Sequence, residues 1–147
     1  MLGQSFSLAR LVQLAGWLII ARALWALLNH TVITLYRFDI ANPAGIGGTL
    51  GEMIMGLPLI LLVPVFLFPL GYLAAGYLAV RGRTLAALIY GIAFLVDAGL
   101  WVFMSTVEEY RLILDGQASA LDAVFNLFDL CMLGFLMFWA LMYRSKV

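Results

Sequence analysis

Apolar residues fall into four long stretches, each broken by only a few polar positions. The first runs from Leu11 to Ile33 and is interrupted by Arg22, Asn29 and His30. The second, from Met53 to Val80, carries no charge; the third, from Leu85 to Met104, contains Asp97; the fourth, from Ala123 to Tyr143, contains Asn126 and Asp129. Each reaches the roughly 20 residues that a helix rising 1.5 Å per residue needs to cross about 30 Å of hydrocarbon. A backbone facing lipid must satisfy its own hydrogen bonds, so each stretch is expected to be helical. The second is longer than crossing requires, and Pro58, Pro64 and Pro69 each remove an amide donor, which predicts a proline-kinked helix. The pattern predicts an all-α integral membrane protein, a single domain over residues 1–147 with four transmembrane helices in a compact bundle.

Punctuation between the stretches agrees with this division. Thr49-Leu50-Gly51-Glu52 and Ser119-Ala120-Leu121-Asp122 each place a hydroxyl residue three positions ahead of an acid, just before an apolar run, which predicts a capping box. Asp39 to Gly48 reads as a turn-rich loop, and Asp115-Gly116 is expected to break a helical extension through Glu108 and Tyr110. Gly71-Tyr72-Leu73-Ala74 recurs as Gly76-Tyr77-Leu78-Ala79, too short a repeat to imply a duplicated fold. Gly71, Ala75 and Ala79, four residues apart, predict a smooth stripe for close helix packing. The run Gly45 to Gly51 matches no phosphate-cradling pattern, since no strand precedes it. Arg10, the apolar run Leu11–Ile20 and Ala21-Arg22-Ala23 resemble a cleavable signal, but the apolar pattern resumes at once through Leu28, so an uncleaved first span is expected.

Composition sharpens the class. With 65% hydrophobic residues and a mean hydropathy of +1.08, the chain has more apolar surface than a soluble core of this size can hide. Eight basic and eight acidic residues cancel, leaving no basic footprint for nucleic acid. The single cysteine, Cys131, excludes an internal disulfide and a thiolate zinc cluster, and the single histidine excludes bis-histidine haem ligation, so no metal or cofactor is expected. Basic residues also set orientation. Arg10, Arg81, Arg83, Arg144 and Lys146 fall on one side of four spans, against Arg37 and Arg111 on the other, which predicts a bacterial inner-membrane protein with both termini cytoplasmic. Tyr36, Trp101, Trp139 and Tyr143 lie near predicted span ends, where amphipathic rings favour the interface.

The candidate chemistry is intramembrane charge. Arg22 lies twelve positions beyond Arg10, roughly 18 Å along a helix, where a lone Arg costs about 2.5–3.5 kcal/mol to insert. Counted from Arg83 and from Tyr143, Asp97 and Asp129 reach a similar depth. Arg22, Asp97 and Asp129 are therefore expected to form an intramembrane ion pair or proton site, ideally through a bidentate Arg–carboxylate contact. Asn29, His30, Asn126 and Tyr90 are supporting polar residues. Asp122, Asn126 and Asp129 share one face of the fourth helix; Tyr90, Asp97, Trp101 and Glu108 share one face of the third; Arg22 and Asn29 align on the first. These faces fit either hydrogen-bonded helix seams, the expectation preferred here, or a wet cavity opening outward. His30 is expected to be an interfacial anchor rather than a proton carrier. Asn29-His30-Thr31 matches a glycosylation acceptor but lies in or beside the membrane.

No serine–histidine–acid set shares a depth, so an enzyme is not expected. A compact chain with short loops points to a small accessory or assembly subunit of a larger membrane complex. The alternative is a homo-oligomeric ion- or proton-coupled transporter using Arg22, Asp97 and Asp129. The expected partners are the lipid bilayer and either another membrane protein or further copies of this chain.

Overall fold

A computed structural model describes residues 7–107 and 118–144, with side chains in the last helix over 123–143. The expected extension through Glu108 and Tyr110, the Asp115–Gly116 break, Glu109, Arg111 and Lys146, and the side chains of Ser119, Asp122 and Arg144 lie outside the described residues.

The described residues form helices and connecting turns, with no strand. In chain order they are α1 (Leu8–Arg37), α2 (Gly48–Gly56), a 3-10 turn (Leu59–Leu61), α3 (Leu62–Val80), α4 (Leu85–Thr106) and α5 (Ala118–Arg144). Four segments are long and apolar enough to cross a membrane: Leu8–Arg37, Leu59–Val80, Leu85–Thr106 and Ala123–Tyr143.

The second apolar run differs from the single helix expected over Met53 to Val80. Leu57 precedes a proline, whose ring disfavours helical backbone at that position, and Leu57 is extended (φ −60°, ψ 132°). Pro58 is extended as well, so α2 ends at Gly56 and the chain restarts at Leu59. Pro64 falls in the first turn of α3, where its missing amide has no helical acceptor to lose. Pro69 lies inside α3 and is fully buried. The first capping box also differs from expectation: α2 starts at Gly48 behind Gly47, which places Thr49 inside the helix.

Two helix ends share a Schellman geometry. At the end of α3, Arg83 N–H donates to the Leu78 carbonyl and Gly82 N–H to that of Ala79, both at 2.9 Å, with Gly82 at φ +67°. This tight turn sends α4 back antiparallel to α3. At the end of α1, Ile40 donates to Leu35 (3.0 Å) and Asp39 to Tyr36 (2.9 Å), but the left-handed position is filled by Asp39 at φ +54°. Asn42 then closes the loop, its side chain bonded to both the carbonyl and the amide of Ile46. Arg37 reaches across to donate to the Ile54 and Met55 carbonyls, satisfying acceptors that the end of α2 leaves open. Tyr36 lies against Gly51, fixing α2 over the end of α1.

α3 packs against both α1 and α4, while α5 rests on α4 and touches α1. The α1–α3 seam is built from small residues. A Cβ at Gly16 would stand 2.8 Å from the Gly76 carbonyl oxygen, and one at Gly76 would stand 2.8 Å from that of Gly16, so the two backbones touch. On the other side of α3, a Cβ at Gly71 would meet the Ala93 Cβ at 2.8 Å. Ala75 and Ala79, the rest of the predicted stripe, are fully buried. Large side chains point the other way: Leu14, Trp17, Leu24, Trp25, Leu67, Leu88 and Leu95 are all exposed. Small residues inside and large apolar ones outside reverse the pattern of a water-soluble bundle and fit a lipid surround.

Candidate functional site

The buried polar groups converge where α1, α3, α4 and α5 approach one another. Asp129 sits on the inner face of α5 and is the only buried charged residue among those described, 1% exposed. Tyr90, wholly buried on α4, donates its hydroxyl to Asp129 Oδ1 at 2.8 Å. Arg22 on α1 approaches Asp129 Oδ2 through Nη2 at 3.5 Å. That contact is single and long, unlike the bidentate fork expected from the sequence. The guanidinium also lies 4.2 Å from the centre of the Phe125 ring, one helical turn before Asp129, so part of its charge meets an aromatic face. Arg22 Nε is buried without a hydrogen-bond partner.

Asp97 joins the same region through a residue that the sequence reading did not single out. Tyr72, wholly buried on α3, donates to Asp97 Oδ2 at 3.3 Å, and its ring packs on that of Tyr90 with centroids 4.7 Å apart. Two tyrosines side by side thus tie each carboxylate to a neighbouring helix: Asp97 of α4 to α3, and Asp129 of α5 to α4. A signal for Tyr72 existed. It lies nine residues before Arg81, roughly 13 Å along a helix, at about the depth assigned to Arg22. A phenol so deep in an apolar run needs an acceptor.

The other expected supporting residues stand apart or add less. His30 packs edge-on against Phe68 at 5.4 Å and Phe66 at 6.4 Å, in an aromatic setting at the far end of α1 from Ser7. The Asn29 side chain turns back to the Trp25 carbonyl of its own helix at 3.0 Å, on the exposed side. Asn126 is half-buried one turn before Asp129. Cys131 is exposed.

The arrangement has one cation, two carboxylates and two phenols, with no nucleophile–base pair; among the described residues no group of three or more His, Cys, Asp or Glu is placed to hold a metal ion. These contacts link three helices: Arg22 of α1 and Tyr90 of α4 both meet Asp129 of α5, and a half-satisfied charge in an apolar interior is costly. No known family model, curated protein or solved structure matches this chain.

Proposed function

We propose that the chain is a multi-pass protein of the bacterial inner membrane that serves as a small accessory or assembly subunit of a larger membrane complex. Its partner docks on the outward face of α1. The observation carrying this reading is the exposure of Trp17 and Trp25, 59% and 52%, on a face that also presents Leu14, Leu18, Leu24 and Leu28. Tryptophan favours the ends of a span, where its N–H reaches water or headgroups. Trp25 instead lies fifteen residues past Arg10, roughly 22 Å along the helix and so within a hydrocarbon layer about 30 Å thick. An indole N–H there has no acceptor in lipid, whereas a protein surface can supply one, and tryptophan is a frequent anchor of interfaces.

The test is gentle extraction from native membranes followed by mass spectrometry of what accompanies the chain. A stoichiometric membrane partner is expected with the native protein and is expected to be lost from Trp25→Ala. Isolation of the chain as a homo-oligomer without such a partner refutes the subunit reading.

One observation favours a second reading, a homo-oligomeric ion- or proton-coupled transporter. Arg22, Asp129 and Tyr90 are linked, and the Tyr90–Tyr72 ring contact carries the cluster on to Asp97. Intramembrane acids of this kind line proton paths in transporters. That reading requires pH-driven flux in proteoliposomes that Asp129→Asn or Asp97→Asn abolishes while leaving the protein folded.

A further inference from the structure

Away from the polar cluster, α4 and α5 diverge over a groove of about 690 Å³. Its walls are apolar, with Leu88, Gly91 and Leu95 on one side and Leu133, Met137 and Leu141 on the other. A single hydroxyl, that of Thr84, stands at one end. Thr84 directly follows the exposed Arg81-Gly82-Arg83 turn. We propose that this groove binds one acyl chain of an anionic phospholipid, with the lipid phosphate held at Arg83 and Thr84.

Length, polarity and charge all support this occupant. Thr84 to Leu95 spans twelve residues, a rise of roughly 16 Å along α4, about half of a 30 Å hydrocarbon layer. The groove therefore covers one leaflet, which suits a lipid anchored at the Arg81–Arg83 turn. A helix from another subunit would call for a seam across the whole layer. Only the end at the turn offers a hydrogen-bonding side chain, and two exposed arginines lie within three residues of it in the chain, matching a ligand with an anionic head and an apolar tail. Basic residues beside a cleft between transmembrane helices are a recurrent setting for anionic headgroups. The start of α4, with its positive dipole end, adds to the attraction.

The experiment measures lipid retained by the full-length protein in micelles, using native mass spectrometry with phosphatidylglycerol and phosphatidylcholine of identical acyl chains. One phosphatidylglycerol per chain is expected, bound at least fivefold more tightly than phosphatidylcholine. Arg83→Gln should remove about that fivefold preference, which corresponds to about 1 kcal/mol for one basic side chain at an anionic surface. Gly91→Leu should fill the groove and displace both lipids; a Cβ there meets only the Leu133 Cδ1, at an ordinary 3.6 Å, so the helices need not move apart. Ala140→Trp fills the same groove from α5 and serves if Gly91→Leu misfolds, with helical circular dichroism as the control. The proposal is overturned if both lipids bind alike and Arg83→Gln changes neither. It is equally overturned if a folded, groove-filled variant keeps phosphatidylglycerol at native affinity, or if filling the groove instead dissolves a dimer of this chain.

Discussion

At Asp129, the short bond from Tyr90 and the long contact from Arg22 make unequal claims on the same carboxylate. The tyrosine bond is 2.8 Å long and wholly buried, so Tyr90→Phe removes a neutral donor from a dry carboxylate. Hydrogen bonds to charged acceptors contribute about 1.5–3 kcal/mol, and a loss in that range is expected on unfolding in mixed micelles. Tyr72→Phe should cost less, because its bond to Asp97 is 3.3 Å and less buried. A Tyr72→Phe loss as large as that of Tyr90→Phe would show that the two hydroxyls act as one network. The charges of this site were legible in the sequence, because Arg22, Asp97 and Asp129 interrupt apolar runs at comparable depths. Tyr90, the partner of Asp129, was among the polar residues the sequence offered, whereas Tyr72, the partner of Asp97, was harder to see. An aromatic residue inside an apolar stretch reads as more hydrophobic surface, so Tyr72 disappeared into the run it belongs to. His30 and Asn29 find other partners: His30 packs against Phe66 and Phe68 of α3, and the Asn29 side chain bonds a carbonyl of its own helix.

Among the elements, α3 is in contact on both sides, and its glycines mark where neighbours come closest. A methyl group at Gly76 would meet backbone atoms, the Gly16 oxygen at 2.8 Å and the Ile20 nitrogen at 3.1 Å, which only a shift of α1 could relieve. Gly76→Ala is therefore expected to destabilise by about 1–3 kcal/mol, the usual range for overpacking. Gly99→Ala on α4 is the control: nothing lies within 4 Å of a Cβ there, and exchanging glycine for alanine in a helix favours folding by roughly 0.5–1 kcal/mol. Equal effects of the two substitutions, measured by thermal unfolding, would remove the argument for a backbone seam. The Gly71–Ala75–Ala79 stripe was visible because its spacing repeats within one helix. Gly16 was not visible, because its role depends on which helix lies opposite, and no single run of sequence carries that. Pro58 reads from the sequence as a kink within one helix rather than as the break at Leu57–Pro58, for another reason. Hydropathy continues across it unchanged, while the backbone rule that Leu57 obeys is local and indifferent to hydropathy.

The contacts between helices fix how the molecule as a whole alternates. Gly16, early in α1, meets Gly76, late in α3, while His30, late in α1, meets Phe66 and Phe68, early in α3; the two helices run antiparallel. The Gly82 turn reverses the chain again into α4. Ser7 and the Arg81–Arg83 turn therefore share one end of the bundle, and the Asp39–Gly48 loop with α2 occupies the other. The proposed orientation, with the first end cytoplasmic, rests on charge: Arg10, Arg81 and Arg83 cluster there, against Arg37 at the second, and Arg37 is already engaged with the Ile54 and Met55 carbonyls. Single cysteines placed at Gly82 and at Gly45 in a Cys131→Ser background test this in intact cells. With a membrane-impermeant maleimide, the Gly45 position should label from outside and the Gly82 position only after the membrane is opened. Both glycines have positive φ, so each substitution carries some strain, and labelling at Ala44 and at Arg83 provides unstrained duplicates. Reversed labelling would place the basic turn outside and refute the predicted orientation. Labelling of both loops from the same side would contradict the antiparallel alternation and, with it, the placement of Arg22 and Asp129 inside one membrane layer.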